Sequence, residues 1–191
     1  AEDFPTRGIE VTPVAITDLD AVRAAMRPNT KVIYAEVLSN PWMRVSDIPA
    51  LAKIAHASKA LLVIDNTFLS PAVVRPLELG ADLVLHATTK WLAGHGDAIG
   101  GVVSGAKALV DPIRRQTDLL GQAASPFNSW LISRGARTLS LRIERASANA
   151  SKLAALLEAH PKVEWVRHPS LASHPDRDVR SEEHTSEFQS H

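Results

Sequence analysis

Two short apolar runs constrain the fold of this chain more than any other feature. Ala60-Leu61-Leu62-Val63-Ile64 and Asp82-Leu83-Val84-Leu85-His86 are of strand length and their apolar residues do not alternate with polar ones. A strand with one face in water alternates; one that does not is covered on both faces, as in a parallel sheet between helices. From Val11 to Lys107 the chain moves between such strand-like runs and helix-like segments. The expectation is an α/β fold, mainly parallel, with helices on both faces of the sheet.

Local signals fill in the elements. Thr17 is expected to open a helix to Met26, with Asp20 three residues on in a capping-box arrangement and Pro28-Asn29 as its stop. Lys31 to Glu36 reads as a strand. Ser46-Asp47 caps a helix whose Pro49 lies in the tolerated first turn and whose stripe is Leu51, Ile54 and Ala55. Arg75 to Gly80 fits a short helix closed by glycine, and Gly100 to Ser104 a further strand. Ala106 to Leu120 reads as helix, with Asp111-Pro112 as a point of breakage or restart. Ser125-Pro126 is expected to open one long helix reaching about Ala159. Leu139, Ile143, Ala146, Ala150, Leu153 and Leu157 would form its buried face. Pro161 stops that helix, and Val163 to Val166 is expected to begin another strand.

Composition narrows the partners. Lys+Arg 21 balances Asp+Glu 21, leaving no electrostatic footprint for nucleic acid or an anionic membrane. No apolar run approaches the roughly 18 residues that cross a bilayer. The absence of cysteine removes disulfides, thiolate nucleophiles and Cys-based metal sites, and fits a cytoplasmic protein. Ala1-Glu2-Asp3-Phe4 has neither an initiator Met nor the look of a secretory signal, so the natural N-terminus is expected to lie outside the chain. From Arg180 the sequence is polar and aperiodic and resembles a translated sequencing adapter; residues 180–191 are expected to be non-native.

The chemistry gathers at the strand ends. The first apolar run delivers Asp65, followed by Asn66 and Thr67; the second runs through Ala87-Thr88-Thr89 into Lys90-Trp91. Ionisable groups at the carboxyl ends of buried strands are how α/β sheets build sites. A turn former and a solvated loop lysine would look the same in isolation. As a pair, an amine and a carboxylate suit an imine-bound cofactor such as pyridoxal phosphate, the lysine forming the Schiff base and the acid tuning the ring. His86 and His95 lack a metal-binding spacing, so no metal is expected. Gly94, Gly96, Gly100 and Gly101 suggest tight backbone packing; a nicotinamide-binding domain is disfavoured because no Gly-x-Gly-x-x-Gly follows a strand. Trp91 is expected in the core.

Glu36 to Pro41, Val63 to Pro71, Arg75 to Asp82, His86 to Trp91, Gly94 to Asp97, Ser125 to Phe127 and Arg134 to Leu139 together resemble one enzyme family. It is the pyridoxal-phosphate enzymes of cysteine and methionine metabolism, the trans-sulfuration group of cystathionine γ-synthase, cystathionine γ-lyase, cystathionine β-lyase and methionine γ-lyase. The resemblance runs nearly from Gly8 to Asp176. It implies the fold-type-I architecture, like that of aspartate aminotransferase, and pyridoxal 5'-phosphate as cofactor. Lys90 then resembles the Schiff-base lysine and acid–base shuttle, and Asp65 the partner of the pyridine nitrogen. Asn40 resembles the amide on the cofactor's phenolic oxygen, Thr89 a phosphate-binding hydroxyl, and Thr67 a further cofactor contact. The family usually has Ser three positions before the lysine; this chain has Ala87.

The resemblance further implies that residues 1–125 are part of the large cofactor domain and 126–160 a helix toward the C-terminal domain. Residues 161–179 would begin that truncated domain. The implied activity is β/γ-elimination or γ-replacement on cystathionine, O-acylhomoserine or methionine, in a homo-oligomer (a dimer of dimers) of the full-length protein. Ser125-Pro126-Phe127 leans toward γ-chemistry, with cystathionine β-lyase as the alternative. A non-catalytic association domain on the same fold is the alternative of another class. The family's phosphate cradle, stacking aromatic and carboxylate-gripping Arg fall outside this chain, so it is expected to be inactive alone.

Overall fold

The computed structural model describes residues 4–179. Four strands form one sheet in the order β1 (Val32–Glu36), β2 (Leu61–Asp65), β3 (Leu83–Ala87), β4 (Gly101–Gly105). The first three run parallel, with Glu36 opposite Asp65 and Asp65 opposite Leu85; β4 is antiparallel to β3. The helices are α1 (Leu19–Ala25), α2 (Ile48–Ala57), α3 (Lys107–Leu119), α4 (Pro126–Ala136) and α5 (Leu139–Glu158).

The core is what α2 and the sheet bury together. Leu51, Ile54 and Ala55 form the stripe expected of α2 and pack with Ile33, Ala35, Leu62, Ile64 and Val84. Full burial of a Leu or Ile contributes about 1.5–3 kcal/mol, so this cluster dominates the hydrophobic stabilisation of the sheet. β2 is buried through Leu62, Val63 and Ile64, whereas β1 alternates and turns Val32 and Tyr34 outward.

The caps follow the strongest acceptor. Asp47 Oδ1 takes the Ala50 amide at 2.8 Å at the start of α2, with Pro49 in the first turn. At α1 the cap is Asp18, accepting from Ala21 at 2.9 Å, and the helix starts two residues later than expected. Thr17 is not the cap, because its hydroxyl accepts from the Arg44 guanidinium at 3.0 Å. A charged carboxylate next door is the better acceptor for the first-turn amides.

Four expectations are corrected. Arg75 to Gly80 is a set of turns, not a helix: Glu78, Leu79 and Gly80 donate to residues three back. Gly80, at φ 102°, closes them, where a Cβ would lie 3.0 Å from that of Ala52. Asp111-Pro112 does not break α3, which runs through it. The helix expected from Ser125 to Ala159 is two, parted at Arg137-Thr138. Just before the break lies Gly135, whose backbone presses so closely on Ala93 that a Cβ would sit 2.0 Å from the Ala93 carbonyl oxygen. Its own carbonyl accepts from Thr138 and Arg142 side chains, not only from a helical amide. Finally, Val163 to Val166 forms no strand.

The expected stripe of α5 is buried only at its start, at Leu139 and Ile143; Leu153 is 55% exposed. In its second half only Ala154, outside that stripe, is buried. No helix among them is long and apolar enough to cross a membrane. The tail expected to be non-native lies outside the described residues.

Candidate functional site

Parallel strands end at one edge of a sheet, and β1, β2 and β3 bring their carboxyl ends together. Asp65 is the last residue of β2, and Lys90 stands three residues beyond the end of β3. Asn40 follows β1 by four residues, on the loop to α2. All five residues singled out in the sequence therefore belong to one sheet edge.

Asp65 is half-buried and held at both oxygens. The Tyr34 hydroxyl donates to Oδ2 at 2.9 Å and the Thr67 amide donates to Oδ1 at 2.9 Å. The second contact is the two-residue Asx turn that a strand-end aspartate favours. Asn66, fully buried, anchors the turn by donating from its backbone to Leu85 and from its side chain to the Val74 carbonyl. Thr67 then reaches across: its Oγ1 accepts from the Ala87 amide at 2.7 Å, tying the end of β2 to the end of β3. Its hydroxyl proton is left for another acceptor.

Past Ala87 the chain turns sharply. Thr88 donates to the Gly100 carbonyl, Lys90 to the Ala87 carbonyl and Gly94 to the Lys90 carbonyl. Thr89 Oγ1 accepts from the Gly100 amide at 3.1 Å. Gly100 has no room for a side chain, since a Cβ would lie 2.8 Å from Thr88 Oγ1; Gly94, at φ 72°, faces the Arg142 guanidinium. Gly94 and Gly100 thus serve close packing, whereas Gly96, at φ 70°, has nothing within 4 Å of where a Cβ would lie and Gly101 only ordinary contact, so the expected tight packing does not extend to them. Lys90 is exposed, and among the described residues its amine has no ion pair or hydrogen-bond partner. Thr88 is 3% exposed and its Oγ1 is also without a partner, as is Nε2 of buried His86. Burial pushes the pKa of His86 down, against the charge of Asp65, which favours the neutral imidazole.

Asn40 is exposed on its loop, preceding Pro41 through a cis peptide, and its backbone N–H donates to Glu36 Oε2 at 3.2 Å. That loop is clamped from afar. Asp176, on the last described segment, accepts from Arg44 Nε and Nη2 at 2.7 Å each and from the Val45 amide at 2.9 Å. His174 meets the Met43 carbonyl at 2.7 Å. His95 lies against the Ala93 carbonyl, and Trp91 is half-buried. No group of three metal-binding side chains occurs among the described residues.

Sequence reasoning missed Tyr34 and the Arg44–Asp176 clamp. Tyr34 carried one signal, its place on the outward face of an alternating strand; its partner is fixed only by the register of β1 against β2.

The donor set fits pyridoxal phosphate: an unpaired amine, a carboxylate locked in place, and hydroxyls with spare hydrogen-bonding capacity at Thr67 and Thr88, whereas the Thr89 hydroxyl is engaged with the Gly100 backbone in both directions. Comparison with known proteins agrees. A family profile described as Cys/Met metabolism PLP-dependent enzyme matches residues 2–189. L-methionine gamma-lyase of Pseudomonas putida is 49% identical over 170 residues, which are 88% of this chain and 43% of that protein. Cystathionine gamma-lyase of Bacillus subtilis is 42% identical, over 90% of this chain and 46% of that protein. A crystal structure of cystathionine gamma-lyase from Lactobacillus plantarum complexed with L-serine superposes with a TM-score of 0.87 at 42% identity. It covers 90% of this chain and 45% of that one. The chain spans less than half the length of these relatives.

Proposed function

Because this chain belongs to the PLP-dependent enzymes of Cys/Met metabolism, we propose that it is the part of such an enzyme that holds pyridoxal phosphate through Lys90 and Asp65. The reaction is β/γ-elimination or γ-replacement on a sulfur amino acid or its O-acylhomoserine precursor. One observation carries the reading: an unpaired lysine and a locked carboxylate belong to the carboxyl ends of adjacent parallel strands.

Each residue has a separable task. Lys90 Nζ is the nucleophile that attaches the cofactor. Once freed by substrate, the same amine takes the proton from the substrate's α-carbon and delivers it elsewhere on the substrate. The Asp65 carboxylate keeps the ring nitrogen protonated. Bound there, pyridoxal phosphate supplies an electron sink for negative charge at the α-carbon. Thr89, Thr88 and Thr67 offer hydroxyls to the phosphate, and Asn40 an amide to the phenolic oxygen. Thr88 Oγ1, buried without a partner, supports its taking over the contact that Ala87 lacks.

The relatives named gamma-lyases favour γ-chemistry over a β-lyase. Ala87 favours one second reading, a non-catalytic association domain that binds no aldehyde. Borohydride reduction in the presence of pyridoxal phosphate, followed by peptide mass mapping, separates the two. The enzyme reading requires the adduct on Lys90 and its loss in Lys90→Ala. An unmodified Lys90 would reject it.

A further inference from the structure

Tyr34 has no part in the scheme above, yet it is bound to the carboxylate on which that scheme depends. It stands opposite Val63 in the parallel register, and Asp65 lies two residues further along β2, so both side chains rise from the same face of the sheet. We infer that Tyr34 is a positioning residue: its hydroxyl, donating to Asp65 Oδ2 at 2.9 Å, fixes the carboxylate for the cofactor's ring nitrogen. The inference rests on the reading of Asp65 given above.

The physical case has three parts. An ionised carboxylate offers about four lone-pair sites. Tyr34 and the Thr67 amide fill one on each oxygen, which leaves an acceptor direction open while removing the rotational freedom of the side chain. Tyr34 also donates to Asp65 without neutralising it, so the contact is compatible with the ionised carboxylate that a partner for a ring N–H⁺ must be. Lastly, burial, then the hydrogen bond and charge of Asp65, and then Glu36 push the Tyr34 phenol above its ordinary pKa. The phenol therefore keeps its proton, and stays a donor, throughout the range in which the lysine chemistry runs.

Tyr34 is the one tyrosine in the chain, so tyrosinate absorbance reports on it alone. In the unliganded protein its titration midpoint is expected above the ordinary value of about 10 and should fall in Asp65→Asn, while burial still holds it above that value. A midpoint that ignores Asp65 overturns the contact. Holoprotein is then reconstituted with pyridoxal phosphate or with its analogue carrying C–H in place of the ring nitrogen. Tyr34→Phe should weaken pyridoxal phosphate about tenfold, the loss of one hydrogen bond to a charged group, and leave the analogue unchanged. On an Asp65→Asn background the same substitution should have no effect.

Equal weakening of both ligands, or of neither, overturns the positioning role even if Asp65→Asn still abolishes the preference for the ring nitrogen. If Asp65→Asn does not alter that preference, the Asp65 reading itself fails. Since the titration needs no variant of Tyr34, poor folding of Tyr34→Phe would not shield the inference.

Discussion

Replacing Asp176 with Asn should destabilise the chain by about 2 kcal/mol, and only above the acid range. Asp176 is 7% exposed and accepts three hydrogen bonds, two from the Arg44 guanidinium and one from the Val45 amide. Bonds to a charged group contribute about 1.5–3 kcal/mol each when buried. Asn can still accept from Val45 but loses the charge and one face of the guanidinium. Arg44 is 38% exposed, so water recovers part of what it loses, which discounts the pair toward about 2 kcal/mol. Burial alone would raise the pKa of Asp176, but the Arg44 bonds, the Val45 amide and the charges of Arg44 and His174 outweigh it and hold the pKa below the ordinary value.

The sign of the pH dependence follows. A depressed carboxylate stabilises the fold above its unfolded pKa of about 3.9, and that contribution disappears as pH falls through the lower folded value. Urea unfolding at neutral pH should therefore shift by about 1 M, for a slope of about 2 kcal/mol per M, and the gap between the two proteins should narrow on acidification. A neutral-pH difference below about 0.5 kcal/mol, or one of constant size into the acid range, would refute the clamp as an energetic feature. The loop it clamps carries Asn40, so Asp176→Asn should also weaken pyridoxal phosphate binding.

Gly135→Ala should cost about 3 kcal/mol, because the new Cβ would lie 2.0 Å from the Ala93 carbonyl oxygen and the backbone there must shift; a thermal midpoint within a degree or two of the parent would contradict this. Thr67→Val leaves the Ala87 amide without its 2.7 Å acceptor and should cost about 1–2 kcal/mol, with faster amide exchange at Ala87 as the local reporter. Ala87→Ser restores a hydroxyl three positions before the lysine and should tighten pyridoxal phosphate by up to about tenfold; unchanged affinity in fluorescence titration would mean that Thr88 already makes the contact.

The fold was legible wherever a local rule decided it. The unalternating runs at Leu61 to Ile64 and Leu83 to Val84 announced covered strands, and Asp47 with Pro49 announced a helix start. What stayed hidden depended on contacts that no local rule contains. Tyr34 and Asp65 are 31 residues apart, Arg44 and Asp176 are 132 apart, and both pairs exist only once the sheet register and the path of the C-terminal segment are set. The single helix expected from Ser125 onward failed for the same reason. The apolar stripe read from Leu139 onward carries no sign of a boundary at Arg137-Thr138, which accompanies the tertiary approach of Gly135 to Ala93. The edge of the sheet was readable as a set of chemical types, an amine, a carboxylate and hydroxyls, because strand ends place types. The orientation of those groups was not, because it is imposed by partners such as Tyr34 that enter from a neighbouring strand. Orientation is what a reaction needs, and the residues that sequence missed are those that hold the Asp65 carboxylate and clamp the loop carrying Asn40.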